Sequence, residues 1–442
     1  MATQGQAVPG VDRSTMRRAI AAAVMGNGME WYDFGTYAYL AGTLGAVFFP
    51  SSNPTVSTIE AFAAFALSFI IRPFGGLFFG PLGDRLGRQR ILAITIILMS
   101  GSTFIIGLLP GYSTIGILAP ILLVLCRMLE GFSTGGEYGG ASTFIAEYAS
   151  DRHRGFLCSW LEFGTLSGYV LGAAITTGLT FGLSHEAMIS WGWRIPFLIA
   201  GPLGIIGLYL RLRLEDTPKF RKLEVTGEVS RSPLKETLTQ NWRPILLCVG
   251  MVIVYNVIDY SVLSYMPTYL SQVLKIGDTA SLMIVVGLML VLMAIITFVG
   301  RLSDRVGRKP VLVGACIGMI VLPYPAFWVM SQGDIFLTMA GLLVLGLLLV
   351  LLLGTMPAAL PEVFPTRVRY GGFAIGYNFS TSAFGGTAPL VLSSLIAATG
   401  NNFMPAFYVM AAALVSLVPF LLIEETARVP LRESSELQPQ EA

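Results

Sequence analysis

The chain has 442 residues, with 28 Lys or Arg and 26 Asp or Glu, so that 12% are charged and 54% are hydrophobic. An ordinary soluble domain carries about 25% charge. The composition therefore excludes a soluble enzyme, a disordered protein and a nucleic-acid binder, and describes an all-α protein that crosses a membrane many times. The first residues, through Val11, are polar and lack the charged-then-apolar order of a cleaved signal, so the first span is expected to stay. Apolar runs bounded by charge or turn residues predict twelve spans: 18–46, 59–80, 91–109, 115–146, 155–183, 191–211, 244–270, 277–300, 311–330, 335–362, 371–399 and 404–424. A span needs about 20 apolar residues. From Tyr370 to Ile423 there is no Asp, Glu, Lys or Arg, and the stretch holds two spans broken at Gly400-Asn401-Asn402.

Charge placement orients the spans. With both termini inside, only Lys275 and Arg194 fall outside and Arg72 and Arg127 within spans, leaving 24 of the 28 basic residues cytoplasmic, as positive-inside insertion demands. A bacterial inner-membrane protein follows, expected as a monomer in the lipid bilayer. Its predicted order is an N-terminal tail (1–17), a six-helix bundle (18–211), a cytoplasmic linker (212–243), a second bundle (244–425) and a C-terminal tail (426–442). The four cysteines lie in apolar stretches without paired spacing, and both histidines lie in loops, so neither a metal nor a cofactor is expected.

The two bundles repeat. Gly80, Asp84, Arg85, Gly87 and Arg88 follow the second span, and Gly300, Asp304, Arg305, Gly307 and Arg308 follow the eighth with the same spacing. A shorter echo relates Glu147, Arg152 and Arg154 after the fourth span to Glu362, Arg367 and Arg369 after the tenth. Duplicated halves are the build of secondary transporters that rock about a midplane site. The chain offers neither a phosphate-binding loop nor a nucleophile set, so it is expected to transport a solute, by an ion-driven, facilitated or passive route, rather than to catalyse a reaction.

The repeated G-x-L-x-D-R-x-G-R loop resembles the signature of the major facilitator superfamily. Four further stretches resemble the metabolite:proton symporters within it: Gly26–Gly35 (GNGMEWYDFG), Ile71–Gly76 (IRPFGG), Gly135–Gly140 (GGEYGG) and Trp191–Phe197 (WGWRIPF). The resemblance implies two pseudo-symmetric six-helix bundles and proton-coupled uptake of a small molecule. Family members usually carry Gln where this chain has Glu130. The stretch after Glu425 is not expected to form the long C-terminal coiled coil of the osmosensory member, since Val429, Leu431 and Leu437 do not supply its heptads.

An ionisable group inside a span costs at least about 2.5 kcal/mol on insertion scales, and so marks a partner or a function. Counting about 1.5 Å per residue puts Glu30, Asp33, Arg127 and Glu130 in one central layer, and Arg72, Glu137 and Glu162 in a layer nearer the cytoplasm. Three acids against one arginine leave a carboxylate free to carry a proton, so Glu30, Asp33 and Glu130 are the expected coupling residues. Aromatic faces hold quaternary ammonium groups that cannot donate hydrogen bonds. Trp31, Phe34, Tyr37, Trp160, Tyr255 and Tyr377, with Arg127, Asn256, Asp259 and Asn378, are therefore the expected substrate contacts. Gating is expected of Arg72, Asp84, Arg85, Arg88, Glu137, Glu147, Arg154, Glu162, Asp304, Arg305, Arg308, Glu362 and Arg367. Aromatic density and net negative charge favour a zwitterionic compatible solute of the proline or glycine-betaine type. Arg127 keeps a small organic acid (citrate, 2-oxoglutarate or shikimate type) as the alternative. The glycines Gly164, Gly168 and Gly172 share one face of the fifth span, as close helix packing requires.

Overall fold

The structure, a computed structural model, describes residues 13–86, 88–212, 238–239, 241–365 and 369–431; within these, the side chains at 13–15, 17–19, 80–92 and 210–211 lie outside the description. The described residues form helices in twelve passes. They are α1 (Arg13–Tyr39, continued by Ala41–Phe48), α2 (Pro54–Leu86), α3 (Arg88–Leu108), α4 (Leu118–Tyr148), α5 (Arg154–Gly182) and α6 (Arg194–Leu212). After the linker come α7 (Trp242–Val273), α8 (Asp278–Val306), α9 (Arg308–Val321, continued by Pro323–Met330), α10 (Ile335–Glu362), α11 (Arg369–Thr399) and α12 (Met404–Leu422). Among the described residues, seven of these are long and apolar enough to cross a membrane as single helices. The bounds sit within a few residues of the runs read from the sequence, because charge and turn residues end a membrane helix wherever the apolar run stops. Most of the linker lies outside the described residues.

Three departures have local causes. The ninth pass bends by 51° at Pro323, which lacks the N–H needed to continue the ladder. α8 ends at Gly307, whose φ of 115° is open to glycine and costly for other residues. α7 and α11 each contain π-helical turns, at Tyr260–Tyr265 and Tyr269–Val273 in the former and Thr381–Gly385 in the latter. A π-turn rotates the side chains that follow it and recurs at functional sites.

Within the first half, α1 packs on α5 through the glycine face. A Cβ at Gly168 would run into the carbonyl of Gly28, and one at Gly164 into that of Val24. Asn27 locks the pair by donating to the Leu161 carbonyl at 2.9 Å and the Thr165 hydroxyl at 2.6 Å. The halves meet along α5 against α8 and α2 against α11. At the first of these seams Gly155 and Gly300 face each other, each leaving room for the other's carbonyl.

Candidate functional site

At the end of the bundle that carries the Asp304 loop, buried ion pairs tie the halves together. Arg154 of α5 pairs with Glu362 of α10 at 2.8 Å, and Arg369 of α11 pairs with Glu147 of α4 at 3.2 Å. The two pairs are one contact repeated by the pseudo-symmetry: in each half the arginine seven residues after the acid reaches the acid of the other half. Asp304 accepts from the backbone N–H of Gly155 and Phe156 at 2.8 and 2.9 Å, and from Arg308 at 2.9 Å. A carboxylate from the second half thus caps a helix of the first, where the helix dipole favours it. Beyond α12, Glu425 accepts from the N–H groups of Arg308 and Lys309, Thr426 donates to Glu362, and the Val429 carbonyl accepts from Arg154. This end is shut.

Midway along the helices the halves press an aromatic cluster between them. Trp31 of α1 lies 6.1 Å from Phe34, 5.3 Å from Tyr169 and 5.7 Å from Tyr260 of α7; Phe69 meets Tyr260 edge-on at 5.4 Å. One layer away, Tyr138 stacks on Tyr377 at 4.3 Å, and Glu162 accepts from the hydroxyls of Tyr138 and Tyr255 at 2.5 and 2.8 Å. Arg72 pairs with Glu30 at 2.5 Å and donates to Asn378 of the other half at 3.0 Å. Arg127 is held by both oxygens of Glu130, at 2.7 and 2.6 Å, with its guanidinium 4.3 Å from the Tyr37 ring centroid. Asp33 is a charged neighbour of Glu130. No donor of the described protein reaches either Asp33 oxygen. Two carboxyl groups set side by side have nothing to share until one of them takes a proton.

Several buried polar atoms around the cluster have no hydrogen-bond partner among the described residues: Trp31 Nε1, Arg72 Nη1, Asp259 Oδ1, Tyr260 Oη and Tyr377 Oη, besides Asp33. Leaving such a group unsatisfied costs about 1–3 kcal/mol, and native proteins pair nearly all of them. A convergent set of this kind is a ready-made polar complement to a small ligand. Toward the opposite end, Tyr39 donates to the Leu263 carbonyl at 2.9 Å and Tyr169 shares a 2.9 Å hydrogen bond with Ser264, both across the halves. Past these contacts opens a cavity of about 900 Å³ lined from both halves by residues that include Tyr39, Thr58, Thr268, Gln272 and Asp278.

A twelve-helix build with a buried polar centre between duplicated halves is shared by the Major Facilitator Superfamily, whose profile matches residues 19–388. The chain belongs to the major facilitator superfamily. Among superfamily members, a proline/betaine transporter of Salmonella typhimurium is 46% identical over 431 residues, covering 96% of this chain and 86% of that protein. A glycine betaine/proline/ectoine/pipecolic acid transporter of Dickeya dadantii matches at the same identity and coverage. The proton:xylose symporter XylE with bound 6-bromo-6-deoxy-D-glucose superposes with a TM-score of 0.79 at 17% identity, over 95% of this chain and 98% of that one. As a superfamily member this protein is a membrane transporter of a small molecule and not an enzyme.

In this transporter the charged layers read from helix depth are rearranged. Glu30 pairs with Arg72 rather than joining the Arg127 layer, because an arginine side chain reaches about one helical turn along its own axis. Arg127 is occupied by Glu130 and aromatic rings. Trp160 is not brought to the cluster: it lies half-buried against Phe156 and Phe163. Asn256 bonds Thr381 within its own half at 3.2 Å, and Glu137 is buried on α4. Asp84, Arg85 and Arg88 lie outside the described side chains and Arg367 outside the described residues. Arg305 is exposed. Sequence reasoning placed Arg369 in the repeat but left it out of the gating set, although its seven-residue spacing from Glu362 matches that of Arg154 from Glu147. It also passed over Phe65 and Phe69, which the i, i+3, i+7 series from Phe62 would have put on one face, and over Tyr138 and Tyr169.

Proposed function

We propose that this protein takes up a small zwitterionic compatible solute of the proline or glycine-betaine type together with protons. Uptake proceeds by alternating access across the bacterial inner membrane, with a monomer whose termini and Asp304 loop are cytoplasmic. The observation that carries the reading is the chemistry of the central cluster. A zwitterion needs opposite charges at its two ends and a face for its cationic end. Arg72 Nη1 and Asp259 Oδ1 are of opposite sign and both without a hydrogen-bond partner among the described residues, and Trp31, Phe34 and Tyr260 supply the faces. The names of the two bacterial relatives support the same class of substrate.

Trp31, Phe34 and Tyr260 hold the cationic end by ring-face attraction, worth about 2 kcal/mol per contact once water is excluded. Arg72, held by Glu30 and Asn378, donates to the carboxylate. Tyr255 and Tyr377 shape the cavity from the second half. Asp33 and Glu130 bind the coupling proton between them, with Arg127 holding Glu130 in place. The organic-acid alternative called on Arg127, whose guanidinium has both carboxylate oxygens of Glu130 on it. With the Asp304 end shut and the cavity at the other end, the arrangement corresponds to a state closed toward the cytoplasm. Opening it breaks the Arg154–Glu362 and Arg369–Glu147 pairs.

The test is uptake into proteoliposomes of labelled glycine betaine, proline, citrate and 2-oxoglutarate, with and without an inside-alkaline pH gradient. Betaine or proline accumulates only with the gradient. Accumulation of a dicarboxylate instead, or betaine uptake indifferent to the gradient, overturns the substrate or the coupling respectively.

A further inference from the structure

At the Asp304 end lies a second cavity, about 960 Å³, which none of the functions above uses; its lining includes Asp151, Arg152, His153, Arg301, Arg305 and Arg428. Arg152 and His153 come from the turn that enters α5 in the first half. Arg301 and Arg305 come one turn apart from the end of α8 in the second, and Arg428 from the segment after α12. Four guanidinium groups and an imidazole thus converge from three separate stretches of chain.

The carboxylates of the cavity do not neutralise them. Asp151 is bonded by Arg154, and Asp304 is consumed by Arg308 and two backbone N–H groups. Among the described residues neither Arg152 nor Arg305 has a hydrogen-bond or ion-pair partner. Arg301 lies 4.7 Å from the Phe156 ring centroid, which holds its guanidinium plane. Arg428 adopts a φ of 65°, a left-handed conformation that is uncommon for a non-glycine residue. Its Nε donates to the Asp304 carbonyl at 2.9 Å, which holds this side chain at the cavity wall. Like charges gathered around one cavity call for an anion between them, and arginine forks match phosphate oxygens in pairs.

We propose that this cavity is a binding site for a phosphate-bearing anion, which bridges Arg152 and His153 of one half to Arg301, Arg305 and Arg428 of the other. The chemistry is that of a phosphate group with net negative charge, and both a soluble phosphate and an anionic lipid headgroup carry it. Bound across the seam, the anion adds to the contacts that keep this end shut. The inference does not depend on which solute the central cluster takes.

The test is thermal unfolding of the full chain in neutral detergent, followed by tryptophan fluorescence. It is titrated with sodium pyrophosphate and, separately, with dihexanoyl phosphatidylglycerol. Potassium chloride at matched ionic strength and dihexanoyl phosphatidylcholine are the controls. A saturable rise in the unfolding midpoint with pyrophosphate supports a site that reads phosphate from either source. A rise with phosphatidylglycerol alone supports the site and assigns its occupant to the lipid. The double variant R152Q/R305Q, which removes two exposed side chains without a partner among the described residues, raises the half-saturating concentration by about tenfold or more. No saturable rise with either probe, an equal rise in the controls, or an undiminished response in the double variant overturns the proposal.

Discussion

Glu362→Gln is the most direct perturbation of the shut end. Glu362 is buried and accepts from Arg154 at 2.8 Å and Thr426 at 2.6 Å, and lies 3.5 Å from Arg308. Gln keeps the volume and removes the charge that joins the two halves. Breaking one side of a buried pair costs about 3–5 kcal/mol. Part of that is recovered here, because Arg154 retains Asp151 and Arg308 retains Asp304. Taking about 2–3 kcal/mol as the loss specific to the shut state, the open-to-shut ratio rises roughly 30- to 150-fold. Cys158 provides the reporter. It is fully buried on α5, with Glu362, Arg308 and Arg154 as its charged neighbours, and it should become accessible only when this end opens. Alkylation of Cys158 by N-ethylmaleimide, quantified by peptide mass spectrometry, should accelerate at least tenfold in E362Q. Glu147→Gln, which breaks the pseudo-symmetric pair, should accelerate it too. The double variant E362Q/R154Q should be less than additive with its single parents, since both changes remove one contact. A Cys158 rate within twofold of the parent in both E362Q and E147Q, in protein that remains monodisperse, would refute the reasoning and leave these pairs as static braces.

Three further outcomes follow from the central cluster and its supports. Asp33→Asn should reduce gradient-driven accumulation to simple equilibration while substrate counterflow continues, because the proton site is lost and the rocking motion is not; full accumulation in this variant would move the coupling proton elsewhere. Trp31→Ala should raise the KM for betaine uptake by about tenfold, in keeping with the loss of one ring-face contact of up to about 2 kcal/mol, and an unchanged KM would remove Trp31 from the binding surface. Gly168→Val drives a side chain into the Gly28 carbonyl on α1 and should cost about 1–3 kcal/mol, read as a lower unfolding midpoint; Gly178→Ala on the same helix, where a Cβ meets open space, should leave the midpoint unchanged.

The twelve helices and their ends were legible because membrane insertion is itself a reading of sequence: apolar length makes a span, and charge or a turn residue ends it. The two halves were legible because a repeated loop is visible at any distance along the chain. The Arg127–Glu130 pair was within reach for a similar reason, since residues three apart lie on one helix face. Rise per residue sorted the buried charges into two layers, but carried no information on the direction in which each side chain points. Trp160 and Phe163 share the fifth helix with Tyr169, yet only Tyr169 turns toward Trp31, and that direction depends on how α5 is rotated against α1. Which acid meets which arginine was decided by the same rotation together with the approach of the other half. Glu30 goes to Arg72, Arg154 to Glu362 and Arg369 to Glu147 across seams that no spacing within one helix encodes. The sequence alone thus determined the helices, their order and their duplication. Only packing decided the partners, because a side chain's neighbours across an interface are set by helix rotation and by how closely glycines let the backbones approach.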